Sequence, residues 1–331
     1  MPTLEIGTIL QNRYRVSRVL FQSKLTNVYA VDDIHMVGNI WALKEMKFLA
    51  MNEYERQNML SQFKKEFLRL CSLSHPHLAR FIDYFVEGKN LYILREFIPA
   101  YALRDLMRRP GGLRERDVIY WATQLADVLH YLYKKKFSAV FFRELSLLNI
   151  LLDNEGNVKI VDLGLATIFQ TETNPDRLRN IGCMDYASPE LFDEAGEFDE
   201  KSLVYSLGAI IFHMLTCQNP AQNLFNLPPV EEFNPEVSQA TRKIIKKATS
   251  NDPEKRFRSL KEMKKSLEYF LKNQSFVIPE EDTAKNNEKK NTKKPTVIKE
   301  TEEGEKVSFF LIFVILMLLG TILFVLYKYF L

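Results

Sequence analysis

Apolar positions come in short blocks through the first hundred residues and at helical spacing after that. Tyr14–Val19, Val28–Val31, Ile40–Met46 and Leu91–Phe97 are rich in β-branched and aromatic residues, are separated by polar segments, and predict strands. A helix is predicted between them at about Tyr54–Leu73, with Phe63, Phe67 and Leu70 at i, i+4 and i+7 forming its apolar stripe. From Leu113 onward long helical patterns dominate, broken by two apolar strands that flank Asp153-Asn154-Glu155-Gly156 and predict a hairpin near residues 149–162. This order predicts an α+β, two-lobed fold across residues 14–272, with a small β-rich lobe (about 14–98) and a larger helical lobe (about 99–272).

The pattern changes twice near the end of the chain. Pro279–Lys306 is polar, mixed in charge and nearly free of large apolar side chains to bury, and residues 273–306 are expected to form a flexible juxtamembrane linker. Val307–Tyr327 carries no charge. At about 1.5 Å per helical residue, some 20 residues cross a ~30 Å hydrocarbon layer, so one transmembrane helix is expected there, in contact with the lipid bilayer. Only the tail Lys328–Leu331 follows. The N-terminal stretch lacks the basic and apolar regions of a cleaved signal peptide, which places the large N-terminal part in the cytoplasm of a single-pass membrane protein. Lys289, Lys290, Lys293 and Lys294 could touch anionic headgroups, although the interspersed acidic residues favour a solvated linker.

Composition narrows the function classes. The formal net charge of +3 and the lack of an interleaved basic–aromatic surface give no reason to expect nucleic acid. Cys71, Cys183 and Cys217 are far apart and lack metal-ligand spacing, so neither a disulfide framework nor a zinc site is expected.

Two constellations could carry chemistry. Glu66 falls on the apolar stripe of the first long helix, and a carboxylate directed into a core requires a cation or hydrogen bonds. Lys44, inside the apolar segment Trp41-Ala42-Leu43-Lys44, is its natural partner; an ordinary edge salt bridge is the plainer reading. Asn149 opens the first strand of the predicted hairpin and Asp162 closes the second, so pairing brings both to one open end. Two hard oxygen donors there suit Mg²⁺, although Asn and Asp at hairpin ends often serve only as turn formers.

Together these residues resemble the eukaryotic-type Ser/Thr protein kinase family, with its motifs in order along residues 14–272. Trp41-Ala42-Leu43-Lys44 resembles the strand that bears the phosphate-binding lysine, and Glu66 its helix partner. Leu73-Ser74-His75-Pro76-His77-Leu78 is similar to the segment after that helix. Leu91–Ile98 resembles the strand and hinge that hold adenine, which implies nucleotide contacts at Glu96 and Ile98. Asp162-Leu163-Gly164 resembles D-F-G, Ala187-Ser188-Pro189-Glu190 the A-P-E region, and Tyr205-Ser206-Leu207-Gly208 the buried helix that follows. Asn251–Phe257 resembles the closing segment, which implies an Arg256–Glu190 pair. The resemblance implies a two-lobed kinase fold, with ATP and Mg²⁺ as cofactors and Asn149 and Asp162 as metal ligands.

Departures from the family pattern cluster at the phosphotransfer machinery. Leu20–Val28 has no glycine, and Phe21, Ser23 and Thr26 stand at the glycine positions, each adding a Cβ where the backbone should approach phosphates. In the segment Phe142–Asn149, Arg143 is kept, Glu144 replaces the catalytic aspartate, and Ser146 replaces the lysine that steadies the transferring group. Misplacing a carboxylate by roughly 1 Å costs on the order of 10²-fold. Losing one electrostatic contact costs about 10²–10³-fold, with less than full additivity between the two. Phe142 replaces the histidine of that segment, Leu203 stands where an aspartate braces it, and Cys183 occupies a threonine position in the activation segment. Thr171 and Thr173 leave room for phospho-control through Arg143. Arg95, or Leu94 if the register slips by one, falls at the gatekeeper position, where a cation could reach Glu66.

The expectation is therefore a membrane-anchored pseudokinase that docks protein partners at the membrane and binds ATP. Two alternatives stay open: a slow Ser/Thr kinase using Glu144 as base, and a structural anchor with no nucleotide site.

Overall fold

The computed structural model describes residues 2–24, 26–47, 52–108, 112–137, 139–142, 145–162, 184–192, 197–223 and 225–273. They fall within a compact unit, Met1–Glu280; the second unit, Glu281–Leu331, lies wholly outside the described residues. The predicted linker segment from residue 274 onward and the predicted membrane span 307–327 therefore lie outside them too. Among the described residues, no helix is long and apolar enough to cross a membrane.

The strands are β1 (Ile9–Leu10), β2 (Tyr14–Gln22), β3 (Thr26–Asp33), β4 (Ile40–Lys47), β5 (Phe81–Glu87) and β6 (Asn90–Glu96), which form one antiparallel sheet in the order β1-β2-β3-β4-β6-β5. Helix α1 (Glu53–Cys71) interrupts them. A second sheet contains β7 (Tyr101–Ala102), β8 (Ile150–Leu152) and β9 (Val158–Ile160). The helical lobe is built from α2 (Leu103–Met107), α3 (Glu115–Lys134), α4 (Ala139–Phe142), α5 (Glu200–Thr216), α6 (Gln239–Ala248) and α7 (Leu260–Asn273). The sheet extends beyond the predicted strands. β1 is too short to show a period, and β5 is a half-exposed edge strand without clean alternation.

Two faces of the first sheet have different tasks. On the outer face Tyr14, Tyr29, Leu43, Tyr92 and Leu94 pack into a small apolar cluster. Glu45 is buried beside them and accepts hydrogen bonds from Tyr29 Oη (2.7 Å), Asn27 Nδ2 (2.9 Å), Asn90 Nδ2 (2.8 Å) and Tyr92 Oη (3.0 Å), four neutral donors that satisfy both carboxylate oxygens. The same network anchors the chain before β1, since Leu4 N donates to Tyr29 Oη and Asn27 Nδ2 to the Pro2 carbonyl. The inner face joins the main core that runs into the helical lobe.

Helix α5 is buried on nearly all sides and forms the centre of that lobe. Asp199 caps its N-terminus through a capping box with Ser202, and Cys217 ends it in the left-handed conformation. Gly208 on α5 faces the end of α6: an added Cβ would lie 2.7 Å from Ala248 Cβ and 2.9 Å from Thr249 Cγ2. Gly208→Ala is therefore expected to destabilise the protein by about 1–3 kcal/mol through overpacking, despite the better helix propensity of alanine. Equilibrium urea unfolding of the two proteins measures this; equal or greater stability for the alanine variant would show that α6 moves aside freely.

Candidate functional site

A cleft of about 400 Å³ opens between the first sheet and the start of the helical lobe. Strand register decides what faces it. Pairing of β4 with β6 sets Ala42 opposite Arg95 and Lys44 opposite Ile93, so these four share one face, while Leu43, Tyr92 and Leu94 share the other. Lys44 and Arg95 are diagonal neighbours on the cleft side, close enough for long side chains to converge. Arg95 lines the cleft, and Leu94 is buried in the outer cluster.

They converge on Asp162. Its Oδ2 lies 3.4 Å from Lys44 Nζ, and its Oδ1 accepts a hydrogen bond from Arg95 Nε at 3.2 Å. All three residues are buried, with relative exposures of 7% (Asp162), 8% (Lys44) and 6% (Arg95). Burial by itself would push the Asp162 carboxyl up, but Lys44 and Arg95 outweigh it and hold its pKa below the ordinary value. Arg95 also donates from Nη1 to the Glu96 carbonyl at 3.3 Å, which fixes its guanidinium in place.

Asp162 reaches the cleft from the hairpin. β8 and β9 pair Ile150 with Ile160, and Val161 N donates to the Asn149 carbonyl, so Asn149 and Asp162 both line the cleft at its open end. The turn is held by Asp153 Oδ1, which accepts from Glu155 N and Asn157 N, and by Gly156 at φ 81°. Ile98 also lines the cleft, whereas Glu96 faces Arg80 and Lys159, with its Oε2 accepting from Arg80 N.

The comparisons agree with this geometry. Residues 24–270 match the family model for the protein kinase domain. This chain belongs to the protein kinase family. Among its relatives, the serine/threonine-protein kinase PrkC of Bacillus subtilis is 28% identical over 273 residues, covering 79% of this chain and 41% of that protein. The probable serine/threonine-protein kinase PknB of Lactococcus lactis is 25% identical over 272 residues, covering 78% and 42%. The chain thus spans about two fifths of the length of these curated relatives. The crystallised kinase domain of Mycobacterium tuberculosis PknI superposes with a TM-score of 0.61 at 19% identity, covering 82% of this chain and all of that one, and shares the two-lobed fold. Protein kinases use ATP and Mg²⁺.

Within the kinase frame the expected Lys44–Glu66 pair is not formed. Glu66 binds Arg69 one turn on, which donates from Nη1 to both carboxylate oxygens at 3.0 and 2.9 Å. Met59, Phe63, Phe67 and Leu70 fill the core, and Phe63 and Phe67 pack edge-on against Tyr84, which leaves Glu66 on the flank of α1 within reach of Arg69 on the same helix. Nor does Arg95 reach Glu66; its partner is Asp162.

The phosphate loop is closed upon itself. Ser23 N and Ser23 Oγ both donate to the Thr26 carbonyl (2.9 Å each), and Thr26 N donates to Ser23 Oγ, so amides that would face phosphates in a glycine loop are engaged internally. Ser146, at the catalytic-lysine position, accepts from Leu148 N at 3.2 Å and caps its own loop. Phe142 and Leu203 line a small apolar pocket with Phe198, and the Phe142 and Phe198 rings lie 5.4 Å apart. Glu190 and Arg256 meet in a two-pronged pair at 2.7 and 2.8 Å, with Ser202 Oγ as a further donor to the carboxylate. Arg143, Glu144, Thr171, Thr173 and Cys183 lie outside the described residues.

Sequence reasoning missed three contributors to the cleft. The Arg95–Asp162 bond depends on tertiary closure and has no local signal. Arg18 stands at the rim, but two bulges in β2 blur the alternation that would have found it. Arg104 on α2 also lines the cleft, in a helix too short to show a periodic face.

The residues present fit a nucleotide better than its metal. The cleft volume and its apolar walls at Leu20, Val28, Ala42 and Leu151 suit a planar base. Each oxygen of Asp162 already faces a cation, however, so a divalent ion would bring a third positive centre to one buried carboxylate.

Proposed function

We propose that this chain is a pseudokinase of the Ser/Thr protein kinase family that binds ATP and acts on protein partners by its shape rather than by phosphotransfer. The observation that carries the reading is the Lys44–Asp162–Arg95 cluster, formed while Glu66 is turned to Arg69. Phosphoryl transfer depends on a Lys–Glu pair and an aspartate available to the metal, and here both are committed elsewhere. Ser146 and the closed Ser23–Thr26 turn support the same conclusion. The charge-free segment Val307–Tyr327 supports a single membrane helix, with the kinase domain and its partners on the cytoplasmic side and residues 273–306 as the tether.

The full chain in detergent or nanodiscs, incubated with γ-labelled ATP, Mg²⁺ and a generic protein acceptor, is expected to incorporate no more label than Asp162→Ala or Lys44→Met. Robust incorporation by the wild type that both substitutions abolish would instead make it an active kinase working through Glu144.

A further inference from the structure

The cleft carries more positive charge than its own acids neutralise. Arg18, Lys44, Arg95 and Arg104 line it against two carboxylates, Asp105 and Asp162. Asp105 lies 3.9 Å from Arg108, outside the cleft lining, so its charge is shared. At the buried end of the cleft, two cations face the single carboxylate of Asp162, leaving a net positive charge on side chains that are 10% exposed or less. Arg104 Nε is also buried and has no hydrogen-bond partner among the described residues. A buried donor without an acceptor and an excess of buried positive charge are both costly, and one anion would relieve both.

We propose that the cleft binds nucleotide phosphates without a divalent cation, with Arg95 and Lys44 supplying the positive charge that Mg²⁺ supplies elsewhere in the family. This rests on the reading that the cleft takes a nucleotide. The guanidinium of Arg95 is already held by Asp162 and the Glu96 carbonyl, so it meets an incoming phosphate with little loss of rotamer freedom. Free ATP carries more negative charge than its magnesium complex. A site with surplus cations and no unpaired carboxylate therefore favours the free form.

The test is calorimetric titration of the full chain in detergent with ATP, once in EDTA and once in excess MgCl₂, alongside adenosine and inorganic tripolyphosphate in EDTA. ATP is expected to bind in EDTA at least as tightly as in Mg²⁺, tripolyphosphate to compete with it, and adenosine to bind at least tenfold more weakly. Arg95→Met is expected to lose about tenfold in EDTA and to bind more tightly in Mg²⁺ than in EDTA, because Asp162 Oδ1 is then free for a metal while Oδ2 stays with Lys44. Arg104→Gln, on the half-exposed side of the cleft, is expected to weaken EDTA binding several-fold and serves if Arg95→Met fails to fold. Binding that requires Mg²⁺ would overturn this inference and leave the nucleotide reading intact. Absence of ATP binding in both buffers would overturn both.

Discussion

Replacing Arg256 by leucine is expected to lower the unfolding free energy by about 3–5 kcal/mol, the cost of removing one member of a buried ion pair. The Arg256 side chain is fully buried, donates twice to Glu190, and also satisfies the carbonyls of Ser250 and Lys201. Among the described residues leucine would leave Glu190 with Ser202 as its side-chain donor, and would remove the side-chain donor to those carbonyls. The loss should appear in urea unfolding as a lower midpoint with an unchanged slope. It should also depend on pH. Burial pushes the Glu190 carboxyl up, but the hydrogen bonds from Arg256 and Ser202 overcome this and bring its pKa down from 4.5 to about 2. A depressed carboxylate stabilises the fold above its unfolded pKa, and this contribution is lost as pH falls through the folded value. The gap between wild type and Arg256→Leu should therefore be full at pH 6 and narrow steadily below about pH 4.5. A pH-independent gap, or a loss under about 1 kcal/mol, would mean that packing against Tyr205, not the ion pair, holds Arg256 in place.

Asp162→Ala should be comparably costly in the absence of nucleotide, at about 3–5 kcal/mol, because it leaves Lys44 and Arg95 buried without the anion they share. Arg95→Met removes one of two cations and leaves a balanced Lys44–Asp162 pair of similar volume, so its cost should be about 1–2 kcal/mol, mainly the lost hydrogen bond to the Glu96 carbonyl. The asymmetry is the diagnostic feature. It follows from the two-to-one ratio of cations to carboxylate, and thermal unfolding of the three proteins side by side reads it directly. An Asp162→Ala variant as stable as wild type would mean that the two cations are not buried around it.

Local pattern carried most of the fold because its signals are periodic. The main strands, α1 and the hairpin from residue 149 to 162 all follow from alternation, helical spacing and one glycine turn. Strand order in a sheet is a long-range property, and β1 and the edge strand β5 lacked the alternation needed to show themselves. The site was legible as far as single positions go: Lys44, Asn149 and Asp162 line the cleft, and Glu190 meets Arg256. What escaped was which charges pair. Glu66 sits at the flank of the apolar stripe of α1; with Met59, Phe63 and Phe67 inward, its carboxylate meets Arg69 on its own helix rather than Lys44 across the fold. The sequence left Arg95 and Leu94 as alternatives at the gatekeeper position, and the pairing of Arg95 with Asp162 rather than Glu66 is a tertiary property with no local signal.

Lys44 and Arg95 hold Asp162 where a kinase would keep it open for a metal. A double-mutant cycle between Arg95→Met and Asp162→Ala, measured by urea unfolding without nucleotide or divalent ions, tests this. The expected result is a coupling of about 1–3 kcal/mol, with the double variant more stable than the sum of the single losses implies, because removing Arg95 relieves the charge that Asp162→Ala leaves stranded. Strictly additive losses would contradict it, since they would mean that Arg95 and Asp162 do not meet in the folded protein.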